Sequence, residues 1–193
     1  LNGIFPVSCY AHKYNTELNS VTYFIDDKYV GVSNEIPFTV YVNANEYSGK
    51  HTLKAAANFS DGQNLITESS VIINGSGSNI NVDISGKKID FDQQPVIYNG
   101  RTLVPMRKIF EELNASVEWD GDTRTAIGTK GNKTIKLTVG SNIMYINDKA
   151  VTLDTAPIIM SDRTLVPVRA VAEGLNCNVD WNADTLTVLI TPN

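Results

Sequence analysis

Apolar and polar residues alternate with a period of two through most of the first third of the chain. Val21, Tyr23 and Ile25 share one face of a run that ends at Asp26-Asp27-Lys28, and Tyr29-Val30-Gly31-Val32 reads as its hairpin partner. Phe38-Thr39-Val40-Tyr41-Val42, residues 49–57 and residues 64–73 read as further strands, with Ser60-Asp61-Gly62 turning between the last two. Short strands at this spacing, with no helical period, predict an antiparallel sandwich over residues 1–75. Asn74-Gly75-Ser76-Gly77-Ser78-Asn79 then reads as a flexible joint.

Beyond the joint the chain states one pattern twice. Arg101-Thr102-Leu103-Val104-Pro105-Met106-Arg107 returns as Arg163-Thr164-Leu165-Val166-Pro167-Val168-Arg169, 62 residues later. Glu111/Glu173, Leu113/Leu175, Asn114/Asn176, Val117/Val179, Trp119/Trp181 and Asp122/Asp184 keep that offset, as do Lys87/Lys149 and Asp92/Asp154 upstream. Each copy reads strand, hairpin, strand, loop, helix, strand, hairpin, strand. The helix is expected to begin at Pro105 or Pro167, because the first helical position needs no N–H. Met106, Ile109, Phe110 and Leu113 then fall on one stripe, as do Val168, Val171, Ala172 and Leu175. Arg107 with Glu111 and Arg169 with Glu173 are expected as i,i+4 pairs. Asn114 and Asn176 sit where a helix closes in left-handed geometry. A further strand over residues 135–139 bridges the copies. The fold class expected is thus an all-β sandwich followed by an α+β domain over residues 80–193. That domain is read as two repeats, about 80–141 and 142–193, each one helix packed on antiparallel strands.

Composition narrows the function. Sixteen Lys+Arg against 21 Asp+Glu leave a net charge of −5 with no basic run, so nucleic acid is not expected as a partner. No stretch is apolar enough to span a bilayer. No export signal is recognised, and compartment is not read from the residues alone. Cys9 and Cys177 fall in different domains, and Cys177 stands where the first copy has Ala115, so a small buried thiol is expected there. Trp119-Asp120-Gly121-Asp122-Thr123 has the look of a calcium loop. The second copy, Trp181-Asn182-Ala183-Asp184-Thr185, loses a carboxylate and the glycine, so a turn closed by Asp–Thr side-chain bonds is expected and no metal site.

Two resemblances add to this reading. Ser20 to Gly31, Pro37-Phe38-Thr39 and Gly49-Lys50-His51-Thr52-Leu53-Lys54-Ala55 resemble bacterial immunoglobulin-like modules, which implies an immunoglobulin-like sandwich. Gly/Asp-Arg-Thr-Leu-Val-Pro-X-Arg, a short amphipathic helix and Leu-Asn-X-X-Val-X-Trp, present in both copies, resemble the copper amine oxidase N-terminal-domain-like family. That resemblance implies a repeated non-catalytic stalk or appendage of exported Gram-positive proteins, at the cell surface or secreted. Oxidase chemistry would need copper-ligating histidines and a cofactor tyrosine. The chain has only His12 and His51, without His-X-His spacing, and three imidazoles cannot be assembled from two. No cofactor and no catalytic residue is assigned.

Four residues remain as binding candidates: Trp119, Trp181, Arg101 and Arg163. The tryptophans either cover the helix stripes with Val117 and Val179 or offer platforms to sugar rings. The arginines either brace the loop before each helix or clamp a carboxylate. The expected function is a spacer or attachment module without catalysis. Its alternatives are a carbohydrate- or cell-wall-binding module using these residues, and a protein-binding adhesin segment working through an exposed strand edge. The partners implied are cell-wall polysaccharide or another surface protein.

Overall fold

The computed structural model describes residues 4–75 and 80–193, and the chain divides into two compact units, residues 1–78 with 160–162 and residues 79–159 with 163–193. From residue 76 on, the expected Gly-Ser joint lies outside the described residues.

The first unit contains β1 (Ile4–Ser8), β2 (Leu18–Ile25), β3 (Lys28–Ser33), β4 (Thr39–Asn43), β5 (Ser48–Phe59) and β6 (Asn64–Asn74). They form a four-stranded antiparallel sheet in the order β3-β2-β5-β6 and a two-stranded sheet β1-β4. The β2–β3 turn places Asp26 and Asp27 at φ of 49° and 62°, the paired left-handed residues of a tight hairpin. Alternation works as the sequence implies. Val21, Tyr23 and Ile25 are buried with Ala55, Ala57 and Phe59 of β5 and with Val7, Val40 and Val42 from the smaller sheet. Tyr23 is fully buried, and its hydroxyl is satisfied twice. It accepts from the Cys9 N–H at 2.6 Å and donates to the Phe38 carbonyl. Burial pushes its pKa up to about 12.

From residue 80 onward the elements are β7 (Asn81–Ile84), β8 (Lys87–Lys88), β9 (Val96–Tyr98), β10 (Arg101–Pro105), α1 (Met106–Glu112), β11 (Ser116–Asp120), β12 (Thr125–Lys130) and β13 (Lys133–Thr138). Then follow β14 (Ile143–Ile146), β15 (Lys149–Thr152), β16 (Ile158–Met160), β17 (Arg163–Pro167), α2 (Val168–Gly174), β18 (Cys177–Asn182) and β19 (Thr187–Pro192). They build three sheets, in the orders β16-β17-β10-β9, β11-β12-β13-β14-β15 and β18-β19-β7-β8.

The expected division into an immunoglobulin-like sandwich followed by an α+β domain is therefore corrected. Among the described residues the chain is mostly β, and the two α-helices are seven residues each. The repeat of one helix on its own strands is corrected as well. The segments read as loops before the helices are β-hairpins, turned at Asn99-Gly100 and Ser161-Asp162 with φ of 50°, 71°, 48° and 58°. Pro105 and Pro167 end strands and stand just before the helices rather than in their first turn. Both helices pack on β10 and on β17, so each touches both halves. One core serves them all: Ile109, Phe110, Val171 and Ala172 are fully buried with residues from each half.

The halves are related by a twofold at the middle of β10 and β17. Val104 pairs with Val166, its own counterpart 62 residues on, and Leu103 pairs with Pro167 while Pro105 pairs with Leu165. The outer sheets are interleaved about this axis. The last strands of the second half, β18 and β19, join the first strands of the first half, β7 and β8, with β19 parallel to β7. The other junction has the same sense, except that β13 is slotted between β12 and β14 and runs antiparallel to both. The inserted strand leaves a mark on the helices. A Cβ at Gly174 would lie 2.7 Å from the Ile135 Cδ1 of β13, so a larger residue there would have to push that methyl aside. The sheet without an inserted strand has Glu112 at the matching helix position, bound by Lys108 at 2.6 Å and Lys87 at 2.8 Å. Size is exchanged elsewhere too: Phe110 lies over Gly128, and the corresponding positions carry Ala172 and Ile190.

Candidate functional site

The two candidate arginines, Arg101 and Arg163, are tied crosswise by the twofold. Arg101 of the first half donates Nε–H to Asp154 of the second at 2.7 Å, and Arg163 of the second donates to Asp92 of the first at 2.8 Å. Each therefore links the tip of one hairpin to the strand end of the other half. Arg101 also donates to its neighbour's carbonyl, Gly100, at 3.1 Å. The Arg163 guanidinium holds the Asp92 carboxyl below the usual carboxylate range. Asp92 and Asp154 were visible in register in the sequence. What alternation and spacing could not show is that each would serve the other copy's arginine.

Trp119 and Trp181 occupy equivalent places on β11 and β18, facing Ala126 and Val188 across their hairpins. Both are 39% exposed, so neither is a core residue of the helix stripe. Val179, two residues before Trp181, is buried by contrast. The second half carries a groove of about 540 Å³ beside Trp181. It is lined by Trp181 and Val179 of the edge strand β18, Arg101 and Ile97 of the facing hairpin, Arg169 at the start of α2, and Asp154. The groove thus joins two of the four candidates, Trp181 and Arg101, which come from different halves. Trp119 and Arg163 stand at the twofold-related positions and do not line it.

Within the groove the guanidinium groups differ in freedom. Arg101 is engaged by Asp154. Arg169 has only a loose 3.7 Å contact to Glu173 and keeps 56% of its side chain exposed. In the sequence Arg169 is expected in that helical pair and, with Arg107, is also weighed as a clamp for a carboxylate; its place in a groove is not legible there, because the wall opposite comes from the other half. In the first helix the close i,i+4 pair is Lys108–Glu112. A second recess of about 310 Å³ shares Arg101, Asp154, Pro167 and Arg169 with the first. The arrangement offers an aromatic face, an available cation and hydrogen-bonding side chains in a concavity of ligand size.

Asp120 is committed to its own turn. Its Oδ1 accepts from the backbone N–H groups of Asp122 and Thr123 at 3.0 and 3.2 Å, and its Oδ2 from the Thr123 hydroxyl at 2.8 Å. These bonds, the hydroxyl's first, lower its pKa. In the second copy the Asn182 carbonyl oxygen does the same for Asp184 and Thr185. Among the described residues no three His, Cys, Asp or Glu side chains gather as metal ligands. Cys177 is buried, as its Ala115 counterpart implied, and burial raises its pKa. Among the described residues no helix is long and apolar enough to cross a membrane.

Comparison with known proteins gives two individual likenesses. A protein named a protease inhibitor from Brevibacillus choshinensis is 28% identical over 144 residues, covering 74% of this chain. The chain spans only 42% of that relative's length. Among solved structures, the Bacteroides ovatus mixed-linkage glucan utilization locus protein SGBP-B, in complex with a mixed-linkage heptasaccharide, matches over 80% of this chain and 42% of its own. That match has 16% identity and a TM-score of 0.29, too low to argue a shared fold. The copper amine oxidase N-terminal domain family matches residues 83–190, more than half of the chain and the whole span from β7 to β19 apart from its ends. The chain belongs to the copper amine oxidase N-terminal domain family.

Proposed function

We propose that this chain is a non-catalytic attachment module of an exported bacterial protein, and that the groove beside Trp181 binds cell-wall saccharide. The observation that carries the reading is the meeting, in one ligand-sized groove, of a half-exposed indole with the exposed guanidinium of Arg169. Sugar rings present an apolar face to an aromatic ring and a rim of hydroxyls to side chains such as Arg169 and Thr102, which is the pairing this groove provides. The crosswise Arg–Asp ties and the single shared core supply a rigid frame for it. Cell-surface or extracellular placement follows from the same reading. The test is calorimetric titration with peptidoglycan saccharides released by a muramidase. Saturable binding that Trp181→Ala weakens at least tenfold, about 1.4 kcal/mol, is expected. Absence of saturable heat, or a Trp181→Ala chain that binds as well as the parent, refutes the reading.

A second reading is protein binding. β18 is an edge strand bordering the groove, so an extended peptide could add to it, and the Brevibacillus relative is named a protease inhibitor. Competition separates the two: a bound protein that saccharide fails to displace favours the peptide reading.

A further inference from the structure

We infer that the chain has a second saccharide site of the same kind, centred on Trp119, and so binds two ligands per molecule; this rests on the reading of the Trp181 groove given above. The twofold through Val104 and Val166 maps each principal wall residue of that groove onto a residue of the same character. Trp181 maps to Trp119, Arg101 to Arg163, Arg169 to Arg107, Asp154 to Asp92, Ile97 to Ile159 and Val179 to Val117. The correspondence holds in geometry as well as in type. The two indoles are equally exposed, at 39%. The two Arg–Asp bonds agree to 0.1 Å, at 2.7 and 2.8 Å. The residues closing the two helices, Asn114 and Asn176, have φ of 58° and 60°. Two substitutions between the sites change size alone, Val188 becoming Ala126 and Val168 becoming Met106, while Gly100 becomes Asp162 and adds a carboxylate at the hairpin tip.

A duplicated scaffold needs its core positions in both halves, but it has no need to keep a large aromatic half in solvent twice. An exposed indole returns little burial energy, and smaller or polar residues on the open face of a hairpin would serve the fold as well. Keeping the indole together with the arginine from the opposite half preserves a binding surface. Two such surfaces on one rigid unit let a repetitive polymer engage both, and the second contact becomes intramolecular.

The chain has two tryptophans, so its indole N–H groups give two NMR signals, one for each site. Titration of the ¹⁵N-labelled 193-residue chain with a muramidase-released peptidoglycan disaccharide is expected to move both signals saturably. Calorimetry is expected to give two ligands per chain. Trp119→Phe and Trp181→Phe, which keep an aromatic ring and the fold, each leave the other site's indole shifting as before. Saturable movement of the Trp181 signal with Trp119 unmoved, and one ligand per chain, overturns the inference and leaves the Trp181 groove standing. If neither indole signal moves, both readings are overturned.

Discussion

The exchange of large and small residues across the twofold is a quantitative test of how the second unit is packed. Phe110 lies flat over Gly128, where an added Cβ would fall 2.0 Å from Cε1 and 2.4 Å from Cδ1 of the ring. The counterpart positions hold Ala172 and Ile190, which are 0% and 1% exposed. Phe110→Ala alone removes a fully buried ring and leaves its volume empty, at a cost of about 3–5 kcal/mol. Gly128→Ile alone drives a branched side chain into that ring, and overpacking of this severity costs about 3 kcal/mol. Independent effects would sum to about 6 kcal/mol or more. The double substitution transplants the second half's own pair, so it is expected to cost under about 3 kcal/mol, a coupling of roughly 3 kcal/mol. Urea unfolding followed by tryptophan fluorescence reads this unit selectively, because both indoles lie in it. A double variant as unstable as the summed singles would refute the pairing.

Further outcomes are expected. The Tyr23 phenol, with its pKa raised to about 12 by burial, favours the folded state while protonated. That contribution is complete below the unfolded value near 10 and is lost as pH climbs from 10 to 12, about 3 kcal/mol in all. Tyr23→Phe should flatten this dependence in far-ultraviolet circular dichroism melts, and should cost about 1–3 kcal/mol at neutral pH by leaving the Cys9 N–H and Phe38 carbonyl unpaired. Asp92, held low by Arg163, contributes stability above the normal carboxylate range that fades as pH falls through its depressed value. Because both partners are more than half exposed, Arg163→Ala should cost less than about 1 kcal/mol, while carbon-detected titration should show the Asp92 pKa rising. Asn114→Gly should be nearly neutral and Asn114→Ala should cost about 1 kcal/mol in thermal melts, since φ at this residue is 58°. Equal costs for the two would remove the backbone explanation.

What the sequence made legible was local. The alternation of Val21, Tyr23 and Ile25 located β2 and its inward face, and the 3.6 period of Met106, Ile109, Phe110 and Leu113 located the first helix and its buried stripe. Asn114 and Asn176 announced their left-handed backbone. Val96-Ile97-Tyr98-Asn99-Gly100-Arg101-Thr102-Leu103-Val104 held a strong hairpin signal, Asn-Gly between β-forming runs, yet was read as a loop leading to a helix. Missing that hairpin and its partner turned a mostly β unit into an expected α+β one. The interleaving of the halves had no local signature at all. Period and propensity assign an element, whereas strand order depends on which edges meet, and β19 meets β7 over a sequence distance of more than a hundred residues. The groove was illegible for the same reason: Trp181 and Arg101 face each other only because the halves are exchanged about the twofold.

The interleaved sheets bear on how such a chain is built and cut. Neither half closes a core by itself, since its first strands complete the other's sheet and its helix leans on both central strands. A polypeptide trimmed to a single half would find its missing neighbours only in a twin, and would assemble as a symmetric pair or not fold. Fusing two such halves end to end makes that partnership permanent, independent of concentration, and free to let the twins diverge.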